Sequence, residues 1–150
     1  MKIIVINGPN LNMLGIREPD KYGNETYDML LAKITDYCRA NFGDLECEFF
    51  QSNHEGALID EIQRAYFSQV DGIVFNPAGY THTSIALADA VKAVSIPTVE
   101  VHISYVSERE TYRQISFVRA VAIDTVEGQG LNGYLIAMDS LKNHLINNEG

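Results

Sequence analysis

Short apolar runs alternate with amphipathic stretches along this chain, and three of the runs break off into tight polar clusters. Ile3-Ile4-Val5-Ile6 ends in Asn7-Gly8-Pro9-Asn10-Leu11-Asn12. Gly72-Ile73-Val74-Phe75 ends in Asn-Pro-Ala-Gly-Tyr-Thr-His-Thr-Ser at residues 76–84. Pro97-Thr98-Val99-Glu100-Val101 ends in His102-Ile103-Ser104. β-Branched runs that stop at Gly, Asn, Pro or Ser read as buried strands. In open parallel sheets, ligands bind where strands end and loops lead into helices. Three strands finishing in Asn, His and Ser therefore predict one polar pocket for a small polar molecule.

Five strands and five helices follow in alternation. Strands are expected at about 2–7, 45–50, 72–75, 98–102 and 120–126. Helices are expected at about 26–42, 55–68, 83–94, 107–118 and 131–146. In the first helix Leu30, Leu31, Ile34, Tyr37 and Cys38 fall at helical spacing, and Gly43 suits its C-terminal end. Ser107-Glu108-Arg109-Glu110 reads as a capping box opening the fourth. The pattern predicts an α/β, flavodoxin-like, doubly wound five-stranded parallel sheet with helices on both faces. No linker, repeat or low-complexity segment interrupts it, so residues 1–150 are expected to form one domain. The loop from residue 8 to 24 is long for such a fold, and loops of that kind serve as lids or binding loops.

Composition narrows the partners. The 150 residues carry 20 Asp and Glu against 11 Lys and Arg, a net charge of −9 with no basic cluster, so nucleic acid is not expected as a partner. No run approaches a membrane span, and Met1-Lys2 leads straight into a strand without a secretory leader; a cytoplasmic protein is expected. Cys38 and Cys47 fall on a helix and a strand and are expected to be free thiols.

Some motifs mislead. Gly128-Gln129-Gly130-Leu131-Asn132-Gly133 fits the dinucleotide pattern, but no strand with an acidic residue follows it. It reads as a tight strand-to-helix turn. Gly8 and Gly15 are not followed by the Gly-Lys-Ser/Thr of a phosphate-binding loop. A receiver domain would carry a carboxylate where this chain has Asn76.

Other residues carry chemistry. Glu100 and His102 share a face of one strand, so the carboxylate can fix the imidazole tautomer, and His102 is a candidate general acid. His82 stands at a neighbouring strand end. His82, Asp89, His102 and Glu100 fall in no close metal-ligand motif, and no metal or cofactor is expected. Arg17 lies in the first loop with Tyr22, while Arg109 and Arg113 are four apart. Arginines in an acidic chain suit an anionic substrate or the lowering of a tyrosine pKa. Bringing a tyrosine from about 10 to near 7 takes roughly 4 kcal/mol, within reach of one or two desolvated guanidinium groups. No lysine except Lys21 stands in a loop near the expected pocket, which disfavours a Schiff base. On these residues alone, an enzyme and a binding module for a small hydroxy acid or nucleotide both stand.

Gly8-Pro9-Asn10-Leu11-Asn12, Arg17-Glu18-Pro19 with Tyr22-Gly23, the cluster at 76–84, Glu100-Val101-His102-Ile103-Ser104, and Arg109-Glu110 with Arg113 together resemble type II 3-dehydroquinate dehydratase. The resemblance spans nearly the whole chain, in order and spacing. It implies a cofactor-free lyase that dehydrates 3-dehydroquinate to 3-dehydroshikimate, in the shikimate or quinate pathway, as a dodecamer built from trimers. It implies a lid at about 16–25 carrying Arg17 and Tyr22. Tyr22, as tyrosinate, would remove a C2 proton, its pKa held down by Arg17 and Arg109. Asn10 would stabilise the enolate, and His102, oriented by Glu100, would protonate the leaving hydroxyl. Asn76 with the backbone N–H groups of Ile103 and Ser104 would hold the carboxylate, and His82 and Arg113 the ring hydroxyls. Asp89 would reach a neighbouring subunit's site. The chain departs from the family at Tyr105, usually Asn; at Ala88, often Arg; and at Asp124 and Glu127, in a stretch usually apolar and Gly-rich.

Overall fold

The computed structural model describes residues 1–16 and 18–149, except for the side chains of Lys21 and Tyr22. Its strands are β1 (Lys2–Asn7), β2 (Glu46–Gln51), β3 (Gly72–Asn76), β4 (Thr98–Val101) and β5 (Asp124–Val126). Its helices are α1 (Pro19–Tyr22), α2 (Tyr27–Asn41), α3 (Glu55–Phe67), α4 (Ile85–Val94) and α5 (Asn132–Asn147). The strands form one parallel sheet in the order β2-β1-β3-β4-β5, the flavodoxin-like arrangement.

Strand alternation divides the core in two. Ile3, Val5, Val74, Val99 and Val101 face α2 and α5, where Leu30, Ile34, Tyr134, Met138 and Leu141 cover them. Ile4, Ile6, Ile73 and Phe75 face α3 and α4, where Leu58, Ile62, Leu87 and Val91 meet them. Both faces of the central strands are thus dry, as continuous apolar runs require. Two of the helices, α2 and α4, begin at side-chain caps: Thr26 Oγ1 accepts from Met29 N at 3.2 Å, and Ser84 Oγ from Leu87 N at 3.0 Å.

Two expectations are corrected. Residues 107–118 form no α-helix; three short 3₁₀ turns, Val106–Glu108, Thr111–Arg113 and Val118–Ala120, take their place. Ser107 caps nothing: its hydroxyl donates to Glu127 at 2.6 Å. Of the apolar positions here, Val106 and Val118 are buried but Tyr112 and Ile115 are exposed, so no helical stripe exists to pack. The fifth strand begins at Asp124 rather than near residue 120, because Val118–Ala120 is spent on a turn. The segment instead crosses the end of β4, where Ser116 donates to Glu100. A one-turn helix, α1, also stands within the long first loop.

Candidate active site

The sheet brings the C-terminal ends of β1, β3 and β4 side by side, around the place where strand order reverses. A pocket opens there, lined by Asn10, Leu11, Asn76, Ala78, Gly79, His82, His102, Ile103, Ser104, Val106, Arg109 and Arg113. Its volume of about 120 Å³ suits one small molecule and falls short of the roughly 300–1,000 Å³ typical of larger ligands.

Each wall has a local cause. Gly8 N donates to the Asn76 carbonyl at 2.8 Å, tying the loop after β1 to the end of β3. Asn10 sits in the left-handed region at φ 69°, and its N–H donates to Asn53 Oδ1 at 2.9 Å. Tyr80 Oη donates to the Asn53 carbonyl at 2.8 Å, so the loop after β2 braces both neighbours. The carbonyls of Ile103 and Ser104 accept from Gly130 N at 3.1 Å and Gly128 N at 3.2 Å. This leaves the backbone after His102 clamped by the glycine turn.

The buried ionisable pair is Glu100 with His102. Glu100 Oε1 lies 2.5 Å from His102 Nε2 and accepts from Ser116 Oγ at 2.7 Å. Its Oε2 accepts from Thr125 Oγ1 at 3.3 Å and faces Arg119 Nε at 3.8 Å. Burial by itself would raise the Glu100 carboxyl pKa. The hydrogen bond and charge of His102, the Ser116 hydroxyl and the Arg119 guanidinium outweigh it and hold the carboxyl below the usual range. An ionised Glu100 takes an N–H from His102 Nε2, so Nδ1 is the ring nitrogen left to exchange a proton.

His82 Nδ1 lies 2.7 Å from the Ile115 carbonyl, which can only accept. Nδ1 therefore carries the hydrogen and Nε2 is an acceptor. Burial, more than the charges of Arg113 and His102, lowers the His82 pKa and favours this neutral form. Ser104 Oγ is buried with no partner among the described residues, although it lines the pocket. A buried hydroxyl left open in this way fits a bound polar molecule. Arg113 pairs with Glu110 at 2.7 Å, and Arg109 stands 3.7 Å from the same carboxylate.

The structure thus gathers Asn10, Asn76, His82, His102, Ile103, Ser104, Arg109 and Arg113, with Glu100 behind His102. Asp89 is exposed on α4, outside this lining. Arg17 and the Tyr22 side chain lie outside the described residues. Sequence reading gave no individual role to Asn7, Asn53, Ser116 or Tyr134, although Asn7 opens the polar cluster after the first strand. Asn7 and Asn53 at strand ends were the available signal. Among the described residues, no three His, Cys, Asp or Glu gather as metal ligands, and no helix is long and apolar enough to cross a membrane.

The dehydroquinase class II family model matches residues 1–142. The chain belongs to the class II dehydroquinase family. A 3-dehydroquinate dehydratase of Fusobacterium nucleatum is 52 % identical over 138 residues, covering 92 % of this chain and 94 % of that one. The crystal structure of a type II dehydroquinase from Butyrivibrio crossotus superposes with a TM-score of 0.92 at 55 % identity, over 95 % of this chain and 97 % of that one. The fold alone extends further, to the response regulator domain of Thermotoga maritima CheB, with a TM-score of 0.55 at 13 % identity, over 97 % of this chain and 96 % of that one.

Tyr105, Ala88, Asp124 and Glu127 fall outside the pocket lining. The Tyr105 ring lies over Gly128, where a Cβ would come within 2.2 Å of it. Asp124 accepts from Ser140 Oγ at 2.6 Å, and Glu127 accepts from Ser107. Ala88 is buried on α4.

Proposed function

We propose that this type II 3-dehydroquinate dehydratase turns 3-dehydroquinate into 3-dehydroshikimate through an enolate, with the Tyr22 phenolate as base and His102 as general acid. The phenolate takes the C2 proton, and the electron pair of the broken C–H bond moves onto the neighbouring ketone oxygen. Asn10 stabilises that oxyanion. The pair then returns to form the C1–C2 double bond. The C1 hydroxyl leaves with a proton from His102 as water.

The observation that carries this reading is the Glu100–His102 pair, 2.5 Å apart and buried, opening onto a pocket shared with Asn10, Arg109 and Arg113. A carboxylate behind an imidazole is the arrangement a proton donor needs. Asn76 and the N–H groups of Ile103 and Ser104 take the substrate carboxylate. His82, through Nε2, and Arg113 take ring hydroxyls. The segment 16–25 closes as a lid, with Arg17 and Arg109 holding the Tyr22 pKa down. No step calls for a metal or cofactor.

We place the activity in one catalytic domain, residues 1–150, in the cytoplasm, within a dodecamer built from trimers. In that assembly Asp89 reaches a neighbouring chain's site, which suits its exposed position on α4. The product is a conjugated enone and the substrate is not, so ultraviolet absorbance follows the reaction. Absorbance should rise, activity should survive prior treatment of the protein with borohydride in the presence of 3-dehydroquinate, and turnover should vanish in Tyr22→Phe. Near-normal turnover in that variant would remove the phenolate from the mechanism. An active monomer in sedimentation would remove the shared role of Asp89.

A further inference from the structure

Beneath the pocket lies a buried hydrogen-bond chain in which the proposed reaction uses Asn76 but gives Tyr134 and Asn7 no part. Tyr134 on α5 is fully buried, and Asn7 and Asn76, at the ends of β1 and β3, are 0 % and 3 % exposed. Tyr134 Oη lies 2.6 Å from Asn7 Oδ1 and 2.9 Å from Asn76 Nδ2. The Ala78 N–H, which can only donate, lies 3.0 Å from Asn76 Oδ1.

These contacts leave one proton arrangement. The Ala78 N–H fixes which side-chain atom of Asn76 is the oxygen. Nδ2 therefore faces Tyr134 and donates to it. Tyr134 has one hydroxyl hydrogen, and it goes to Asn7 Oδ1. Burial raises the Tyr134 pKa, so the hydroxyl keeps that proton. Asn76 lines the pocket with its carbonyl already occupied by Ala78 and one Nδ2 hydrogen given to Tyr134. The group it has left to offer a ligand is the second Nδ2 hydrogen. If the amide flipped, its carbonyl would be set against an anion.

We propose that Tyr134 is a positioning residue, whose hydroxyl locks the Asn76 amide so that it presents N–H to the substrate carboxylate. This rests on the reading that Asn76 binds that carboxylate. It also gives the Gly128–Gly133 motif a use. The turn sets the start of α5 against the sheet end, with Gly128 at φ 76° and Gly130 at φ 58°, and Tyr134 follows immediately. The same turn clamps the Ile103 and Ser104 carbonyls. One loop thereby orients all three proposed carboxylate donors.

The test is a double-mutant cycle of Tyr134→Phe and Asn76→Ala, read as KM and kcat by enone absorbance, with Tm and the kcat pH profile alongside. Tyr134→Phe should raise KM roughly tenfold, the low end for a hydrogen bond to a charged partner. The kcat pH profile should stay in place, because His102 and Glu100 are untouched. In the Asn76→Ala background the same substitution should change KM less than about twofold, since its only route of action is gone. Equal KM effects in both backgrounds would show that Tyr134 acts through packing and would overturn the proposal. An unchanged KM in Asn76→Ala itself would overturn the carboxylate reading and the proposal with it. If Tyr134→Phe does not fold, Asn7→Ala replaces it. That change removes the acceptor and frees the tyrosine proton to turn toward Asn76, and it should raise KM in the same Asn76-dependent way. An unchanged KM there would also overturn the proposal.

Discussion

His102 Nε2 lies 2.5 Å from Glu100 Oε1, with the histidine 3 % and the glutamate 0 % exposed. Such a pair is costly to bury unless both members are used. Glu100→Gln keeps the shape but replaces the charge with an amide that cannot stabilise an imidazolium. kcat should fall about a hundredfold, at the lower end of what a positioned acid contributes, with KM changed little because Glu100 stands behind His102. Steady-state kinetics by enone absorbance checks this, and an unchanged kcat would take Glu100 out of the proton path.

The same carboxyl makes stability depend on acid. Its folded pKa lies below the ordinary value, although burial opposes this, because His102, Ser116 and Arg119 favour the charged form. The unfolded chain therefore binds the proton more readily than the folded one. The stabilisation is complete above the unfolded carboxyl value, about pH 4.3, and is lost as pH falls through the lower folded value. Thermal unfolding of wild type should lose Tm steeply below that point. Glu100→Gln should start lower at neutral pH and lose less across the same interval. Parallel Tm curves for the two proteins would contradict the assignment.

Glu110 stands between two guanidinium groups, 2.7 Å from Arg113 Nε and 3.7 Å from Arg109 Nε. Its side chain is 44 % exposed, so solvent screens both pairs and their worth to the fold is small. Glu110→Gln should leave Tm within about a degree or two, in line with exposed ion pairs. Its effect belongs to orientation: Arg113 loses its hydrogen-bonded partner, and KM should rise two- to fivefold, on the order of one such pair. Arg113→Ala should raise KM more than Glu110→Gln does. The reverse order would mean that Glu110 itself contacts the substrate.

The sheet was legible because its central strands are apolar on both faces. Ile3 to Ile6 and Ile73 to Phe75 are buried, and the strands of a parallel sheet covered on both faces use such runs. The polar residues at the strand ends were legible for the same reason, since each begins where the apolar run stops. Residues 107–118 misled because Ser107-Glu108-Arg109-Glu110 carries the local signature of a helix start. What decides that segment is distant: Ser107 is drawn to Glu127 and Ser116 to Glu100. Tyr134 stands in what reads locally as a plain amphipathic helix. Its hydroxyl meets Asn7 across 127 positions and Asn76 across 58, which no local pattern encodes.

Gly8 is where the loops after β1 and β3 meet. A Cβ at this position would sit 2.5 Å from the Pro77 carbonyl oxygen and 3.2 Å from that of Asn76, both of them backbone. Backbone cannot swing aside as a side-chain tip can, so Gly8→Ala must push the two loops apart. The push breaks the 2.8 Å bond from Gly8 N to the Asn76 carbonyl and shifts Asn10 and Asn76 relative to each other. The expected cost is about 1–3 kcal/mol, as for overpacking a filled interior, together with a loss of kcat/KM larger than the stability change alone would produce. Gly56 supplies the control. It is exposed in α3, and a Cβ added there would meet nothing within 4 Å, so Gly56→Ala should raise stability by about 0.5 kcal/mol through helix propensity and leave kinetics alone. Denaturant unfolding and enone kinetics on the two variants separate the cases. If Gly8→Ala behaved like Gly56→Ala, the close approach of the loops would not be what holds Asn10 and Asn76 in register.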